Sequence, residues 1–303
     1  MPVKSATLTA ISDDTGTPGD FKTIDTTLGF SGTYQSTGSA KNLQLFVFVD
    51  GVSVGEATLN TSTTWSLPYN SATESPLHVG SHTIALGTSA NANSILSGSA
   101  KTIEVDASCF MAGTLIRTAT GNRPIEMLSR GDVVITTDGR EMPIAWIGKQ
   151  KVSMTFADKN RVTPIRISAG ALGENVPSRD LLVSPCHAVL VDGNLIQAGA
   201  LVNGSSVTRL ADVPNMFTYY HIELDDHSLI FAEDAPAETF VDNVDRMAFD
   251  NWAEHQALFP NGKEVPELPY ARAKSHRQVP RRTREMLAAR AAAIVEATIS
   301  SVA

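Results

Sequence analysis

"SCFMAGTLIRTATGNRPIEMLSRGDVVITTDG", Ser108 to Gly139, begins where the composition of the chain changes. Upstream residues are rich in Ser, Thr, Asn and Gly; downstream come Arg, Pro and long apolar runs. Cys109, one of only two cysteines in 303 residues, stands at that seam. A thiolate is a strong nucleophile, but a thiol of pKa ~8.5 needs a base or an electropositive site to form it. The competing reading is a small buried residue that starts a strand, because free cysteine is commonly buried. What accompanies Cys109 elsewhere in the chain separates the two.

Downstream of the seam, residues 108–249 read as strands joined by tight turns. "GDVVITTDGREMPIAWIGKQKV" gives a strand, an Asp138-Gly139 turn and a second strand through Ile144 and Ile147. "LLVSPCHAVLVDGNLIQAGAL" repeats the pattern about Asp192-Gly193, and "TYYHIELDDHSLIFAEDA" is a long strand-like run. Helical periodicity is scarce, so the region is expected to be all-β. Its polar candidates fall in two places. Ser184 lies three residues before His187 in "SPCH", and "HIELDDH" carries His221 and His227. Side chains alternate along a strand, which puts His221, Glu223, Asp225 and His227 on one face and Tyr220, Ile222 and Leu224 on the core face. Such a polar row on a buried-looking strand is costly unless solvated, paired or used. The same alternation turns Cys186 away from His187 and into core packing.

Upstream, residues 1–107 read as short strands at 6–11, 27–34, 43–49, 64–67, 82–86 and 102–105, the spacing of an antiparallel β-sandwich. Within "KNLQLFVFVDGVSVGEATLN", Asp50-Gly51 suits a type I′ hairpin, whose two central residues need positive φ. Trp65 and Phe48 are assigned to the core. Residues 250–303 hold the proline-spaced "FPNGKEVPELPY", read as a linker. They end in "RRTREMLAARAAAIVEATIS", whose Ala, Arg, Met, Leu and Glu favour a helix.

The formal net charge of -8 argues against general nucleic-acid binding. From Asn261 onward the balance reverses, with Lys263, Arg272, Lys274, Arg277, Arg281, Arg282, Arg284 and Arg290 against Glu264, Glu267, Glu285 and Glu296. A solvated basic helix is preferred there over a contact with an acidic partner. No apolar run reaches the ~20 residues of a membrane helix. "MPVKSATLTAISDD" is polar from the start, unlike a cleaved leader. An extracellular location would then rest on an unconventional or C-terminal export signal. Two cysteines make neither a disulfide framework nor a zinc knuckle, and no cofactor is expected.

The region after the seam resembles the Hint domain, the self-processing module shared by inteins and hedgehog proteins, in its bacterial form fused to other domains. "CFMAGTLIRTATGNRPIEMLSRGDVVITTDG" looks like the opening block, with nucleophilic Cys109, an apolar-Gly-Thr strand and the "IE-x-L-x-x-GD-x-V" turn and strand. "SPCH" resembles the T-x-x-H block with Ser184 in place of the threonine, and "YYHIELDDHSLIFAED" resembles the late block with His227 at its histidine. The resemblance implies a horseshoe-like intein fold and a single-turnover autocatalytic cleavage. In such domains the cysteine attacks the carbonyl on its N-terminal side, here Ser108, and turns an amide into a thioester against amide resonance. The resemblance makes His187 the acid that protonates the departing Cys109 nitrogen. Ser184 would hold the carbonyl or orient His187. His227, with Asp225 or Asp226, would shuttle protons in the later step, and His221 is assignable equally to the site or to a solvated strand. Water, a thiol or an amine would then resolve the thioester, so the chain's own N-terminal segment is the substrate.

Residues 1–107 resemble the bacterial immunoglobulin-like repeats of large surface adhesins, on "SDDTGTPGDFKTIDTTLGFSGT" and "VFVDGVSVGEATLNTSTTWS". That implies an adhesive or spacer module with a surface partner. Calcium, often bound by such modules, would find hard oxygen ligands on Asp13, Asp14 and Asp20, although a solvated acidic loop is the preferred reading.

Splicing is not expected. It needs a penultimate histidine, a terminal asparagine and a following nucleophile, whereas Asn243 stands between Asp242 and Val244 in "LIFAEDAPAETFVDNVDRMAF". No sterol-binding region of the hedgehog type is recognisable. Two readings of other classes compete: an exported adhesin with a catalytically silent Hint fold, and a metal site at "H-x-E-x-D-x-H". Six residues of strand span ~20 Å, too far for one ion without a bend.

Overall fold

Asp50 and Gly51 both take positive φ, 50° and 82°, and close the hairpin between the strands Phe46–Val49 and Val52–Glu56. The Asp50 carboxylate fixes that turn, pairing with His82 Nδ1 at 2.7 Å and accepting the Thr83 N–H at 2.8 Å. The computed structural model describes residues 3–12, 21–23, 29–36, 43–68, 80–105, 108–155, 159–241, 246 and 249–302. Asp13, Asp14, Asp20 and Asn243, singled out above, lie outside the described residues. The chain divides into two units, Met1–Asp106 and Ala107–Ala303.

In the first unit two β-sheets share one core. One sheet orders Val3–Ile11, Gly29–Ser36, Thr64–Pro68 and Thr58–Leu59; the other orders Lys22–Thr23, Lys101–Val105, Gly80–Gly87, Phe46–Val49 and Val52–Glu56. Leu8, Phe30 and Trp65 of the first meet Val47, Ile84 and Ile103 of the second in one apolar cluster. Alternating inward residues on two facing sheets make such a core. Trp65 and Phe48 are fully buried, as expected.

The second unit is also strand-dominated, with the helices Lys159–Val162, Ala198–Leu201, Trp252–Leu258 and Arg281–Val302 among its described residues. One sheet runs Trp146–Ser153, Met216–Glu223, Phe110–Met111, Leu181–Val183, Ile165–Ile167, Val207–Arg209. The other runs Glu141–Pro143, Val133–Ile135, Leu115–Thr118, Leu229–Ala232, Ala235–Glu238, Ala188–Val191, Asn194–Gln197, Ala271–Ala273. Side chains of both sheets, among them Phe110, Ile147, Val183, Ile222, Val189 and Ile230, fill a common core.

Three sequence readings are corrected here. "TYYHIELDDHSLIFAEDA" is not one strand: Met216–Glu223 lies in the first sheet, the chain bends at Asp225 and Asp226, and Leu229–Ala232 joins the second. Adjacent carboxylates resist burial in a continuing strand, and each finds a cation at the surface instead, Lys263 for Asp225 and Arg140 for Asp226. "REMPIAWIGKQKV" also switches sheets: Glu141–Pro143 pairs in the second sheet, Ile144 still bonds to Asp132, and Trp146–Ser153 lies in the first. Of the tight turns, Asp192 and Gly193 both take positive φ, whereas at 138–139 only Gly139 does. Cys186 falls in a turn before Ala188–Val191, half-buried, so strand alternation does not govern it.

The chain after residue 250 packs into this unit. Val265 is fully buried, and Ala271–Ala273 pairs in parallel with Asn194–Gln197. The helix Arg281–Val302 buries Leu287 and Ala291, and its Arg290 donates to the carbonyls of Gly170 and Gly173. Among the described residues no helix is long and apolar enough to cross a membrane.

Candidate functional site

The strand Phe110–Met111 sits between Leu181–Val183 and Met216–Glu223, so its preceding residue, Cys109, is carried to the interior of the sheet. Cys109 is completely buried and its thiol is free. Its N–H donates to Ser184 Oγ at 2.8 Å, and the Ser184 N–H donates to the Cys109 carbonyl at 2.8 Å. Ser184 therefore grips the nitrogen of the Ser108–Cys109 peptide bond. Its hydroxyl oxygen thus meets the peptide nitrogen, on the same bond whose Ser108 carbonyl the sequence reading gives it to hold.

His187 follows in the same turn and is fully buried. Its ring lies 4.1 Å from that of Phe110 and 5.5 Å, edge-on, from that of His221. His221 is stacked in turn on Phe249 at 6.1 Å. Neither ring nitrogen of His187, nor Nδ1 of His221, has a hydrogen-bond partner among the described residues. Burial drives the pKa of His187 down to about 4 and that of His221 down to about 3. Burial likewise pushes the Cys109 thiol well up. At neutral pH thiol and both imidazoles are uncharged, because burial disfavours the charged form of a group that no opposite charge offsets.

His227 enters from the second sheet. Its Nδ1 accepts the Leu268 N–H at 2.9 Å, which leaves the ring proton of the neutral form on Nε2. Nε2 stands 3.7 Å from Glu238 Oε2. Glu238 is buried; its Oε1 accepts the Ser108 hydroxyl at 3.2 Å and the Ala188 N–H at 2.9 Å, and its Oε2 accepts Arg272 Nη2 at 2.6 Å. Burial alone would raise its pKa, but His227 and the Arg272 guanidinium outweigh it and hold the carboxyl far below the usual carboxylate range.

Ser108, Cys109, Ser184, His187 and His221 thus come together, and His227 joins through Glu238. Asp225 and Asp226 do not. The Asp225 side chain is 70% exposed and pairs with Lys263 at 3.2 Å, while Asp226 accepts Arg140 Nη1 at 2.7 Å. The bend after Glu223 breaks the expected polar row. Among the described residues no group of three or more His, Cys, Asp or Glu side chains is placed to hold a metal ion.

Sequence reasoning missed the buried carboxylate of Glu238 and named Glu223 only as one of a polar row, without its partners. Glu238 ends a strand whose Ala235 and Ala237 are buried, and an acid among small apolar residues was the available signal. Its partner Arg272 lies 34 residues further on, with nothing local to connect them. Glu223 accepts Arg246 Nε at 2.8 Å, pairs with His255 Nε2 at 3.2 Å and has Lys263 Nζ at 3.3 Å. Burial opposes its ionisation, yet the hydrogen bonds of His255 and Arg246 bring its pKa to about 2.

Residues 108–244 match the family model of the Hint domain. The Hint match opens at Ser108, so the peptide bond gripped by Ser184 is its first. Arg246, Lys263, Leu268 and Arg272 lie beyond its end. Among solved structures the chain is similar to the gp41-1 intein, at 14% identity over 44% of this chain and 98% of that one, with a TM-score of 0.33. It is also similar to the bacterial intein-like domain from Clostridium thermocellum, at 19% identity over 45% of this chain and 100% of that one, TM-score 0.32. A third is the MchDnaB-1 intein, at 14% identity over 43% of this chain and 98% of that one, TM-score 0.30. No curated protein matches.

Proposed function

We propose that the Hint segment cuts its own N-terminal junction at Ser108-Cys109 and releases the module upstream, without splicing. The observation that carries this reading is the Cys109 N–H on Ser184 Oγ at 2.8 Å, with buried Cys109 and the buried, neutral His187 on either side of Ser184 through its backbone. Cys109 Sγ bonds to the Ser108 carbonyl carbon. The thiol proton passes to the imidazole lone pair of His187 and from there to the Cys109 nitrogen as the C–N bond breaks. The step is an isomerisation of amide to thioester, so no co-reactant is consumed. A neutral imidazole suits it, since the same ring must accept a proton and give one back. Ser184 Oγ, which accepts the Cys109 N–H in the amide, stays against that nitrogen as it becomes an amine. His227 moves protons in the second step, when water, a thiol or an amine takes the acyl group.

The released module is read as an immunoglobulin-like adhesive or spacer domain, supported by its two sheets around one core. Hydroxylamine trapping tests the cleavage: the full chain should yield an N-terminal fragment bearing a hydroxamate on Ser108. A chain that stays intact would favour the catalytically silent Hint fold, for which the complete burial of the Cys109 thiol is the supporting observation.

A further inference from the structure

Glu238 joins the Hint segment to the chain that follows it. One carboxylate oxygen holds the Ser108 hydroxyl and the Ala188 N–H. The other takes Arg272 and faces His227 Nε2. Arg272 is held in turn by Glu267 and by the pairing of Ala271–Ala273 with Asn194–Gln197. Leu268 fixes the neutral tautomer of His227 through Nδ1. Both Leu268 and Arg272 lie outside residues 108–244. They reach a contact on the very residue whose carbonyl is to be attacked.

An unpaired carboxylate in so dry a site would take up a proton or draw in water. Either change would loosen the Ser108 hydroxyl, and attack geometry tolerates little displacement. We infer that residues 268–272 complete the cleavage site from beyond the Hint match: Arg272 holds Glu238, Glu238 holds the Ser108 hydroxyl, and Leu268 aims His227 at the same carboxylate. This rests on the self-cleavage reading above. Glu238 and Arg272 are then positioning residues, which act on the Ser108 carbonyl through the Ser108 side chain. They also make a hydroxyl on the residue before Cys109 a requirement for fast cleavage.

The test is the hydroxylamine cleavage rate of the full chain for wild type, Arg272→Met, Arg272→Lys, Ser108→Ala, Ser108→Thr and the Arg272→Met/Ser108→Ala pair. Melting temperatures are measured alongside in a Cys109→Ala background. Arg272→Met and Ser108→Ala should each slow cleavage ~10- to 100-fold, the scale of a hydrogen bond to a charged group. Arg272→Lys and Ser108→Thr should recover most of the rate, whatever the melting temperature does. The double variant should be no slower than the slower single one, because both changes break one chain of contacts. Multiplied losses in the double variant overturn the inference, as does Ser108→Ala cleaving at the wild-type rate. A wild-type chain that never cleaves overturns the self-cleavage reading and this inference with it. Cleavage at the wild-type rate in every variant overturns the inference alone.

Discussion

His187 shows how burial sets chemistry at the scale of one residue. A solvated imidazole is partly protonated near neutrality, but this one has a pKa of about 4 because it is enclosed by Phe110, His221 and the sheet. It can therefore relay a proton without first losing one. His187→Ala should slow hydroxylamine cleavage by ~10²–10⁴, the usual contribution of general acid–base help; an unchanged rate constant removes His187 from the mechanism. The same burial makes a prediction about stability. The unfolded chain protonates His187 near 6.5 and the folded chain only near 4, so between those values the unfolded state binds more protons. Stability is then complete above pH 6.5 and falls as pH drops toward 4, with His221 adding to the slope down to about 3. Denaturant unfolding of Cys109→Ala at stepped pH measures this, and His187→Gln in that background should flatten the slope. Equal slopes with and without the imidazole would contradict its burial in the neutral form.

At the scale of elements, local signals were legible and long-range ones were not. The Asp50-Gly51 and Asp192-Gly193 hairpins were readable because positive φ is a property of the turn residues themselves. Val3–Ile11 and Gly29–Ser36 in the first unit were readable from alternation, since one face of each is buried. The sheet switch at Asp225-Asp226 was not, because it depends on Lys263 and Arg140, which lie 38 and 86 residues away. Cys109, Ser184 and His187 were named from the blocks that carry the Hint resemblance, whereas nothing local connects Glu238 to Arg272, 34 residues on. Gly148 offers a test of how elements hold the site. It faces His221 across the Trp146–Ser153 pairing, and a Cβ added there would meet Phe249 Cδ1 at 2.5 Å. Gly148→Ala should displace the Phe249 ring from His221 and cost about 1–3 kcal/mol, as overpacking does. Denaturant titration of the variant checks this; wild-type stability would show that Phe249 is not needed against His221.

Over the whole molecule, a seam in composition coincides with the start of the Hint match and with a buried cysteine. The chain beyond that match supplies cations to two of the buried carboxylates, Arg246 and Lys263 to Glu223 and Arg272 to Glu238. Removing one partner of a buried ion pair commonly costs 3–5 kcal/mol. The tail is thus expected to be part of the folding unit. The reaction should stop at cleavage: Asn243 lacks a preceding histidine and a following nucleophile, so no species joining Ser108 to residues after Asn243 should form. Detection of such a ligated product by mass spectrometry would show that splicing occurs. Self-cleavage itself is tested most directly by the intact mass of the full chain incubated with a thiol, wild type beside Cys109→Ala. Wild type should release an N-terminal fragment ending at Ser108 while the variant stays whole; the same cut in Cys109→Ala would contradict cleavage through a Cys109 thioester.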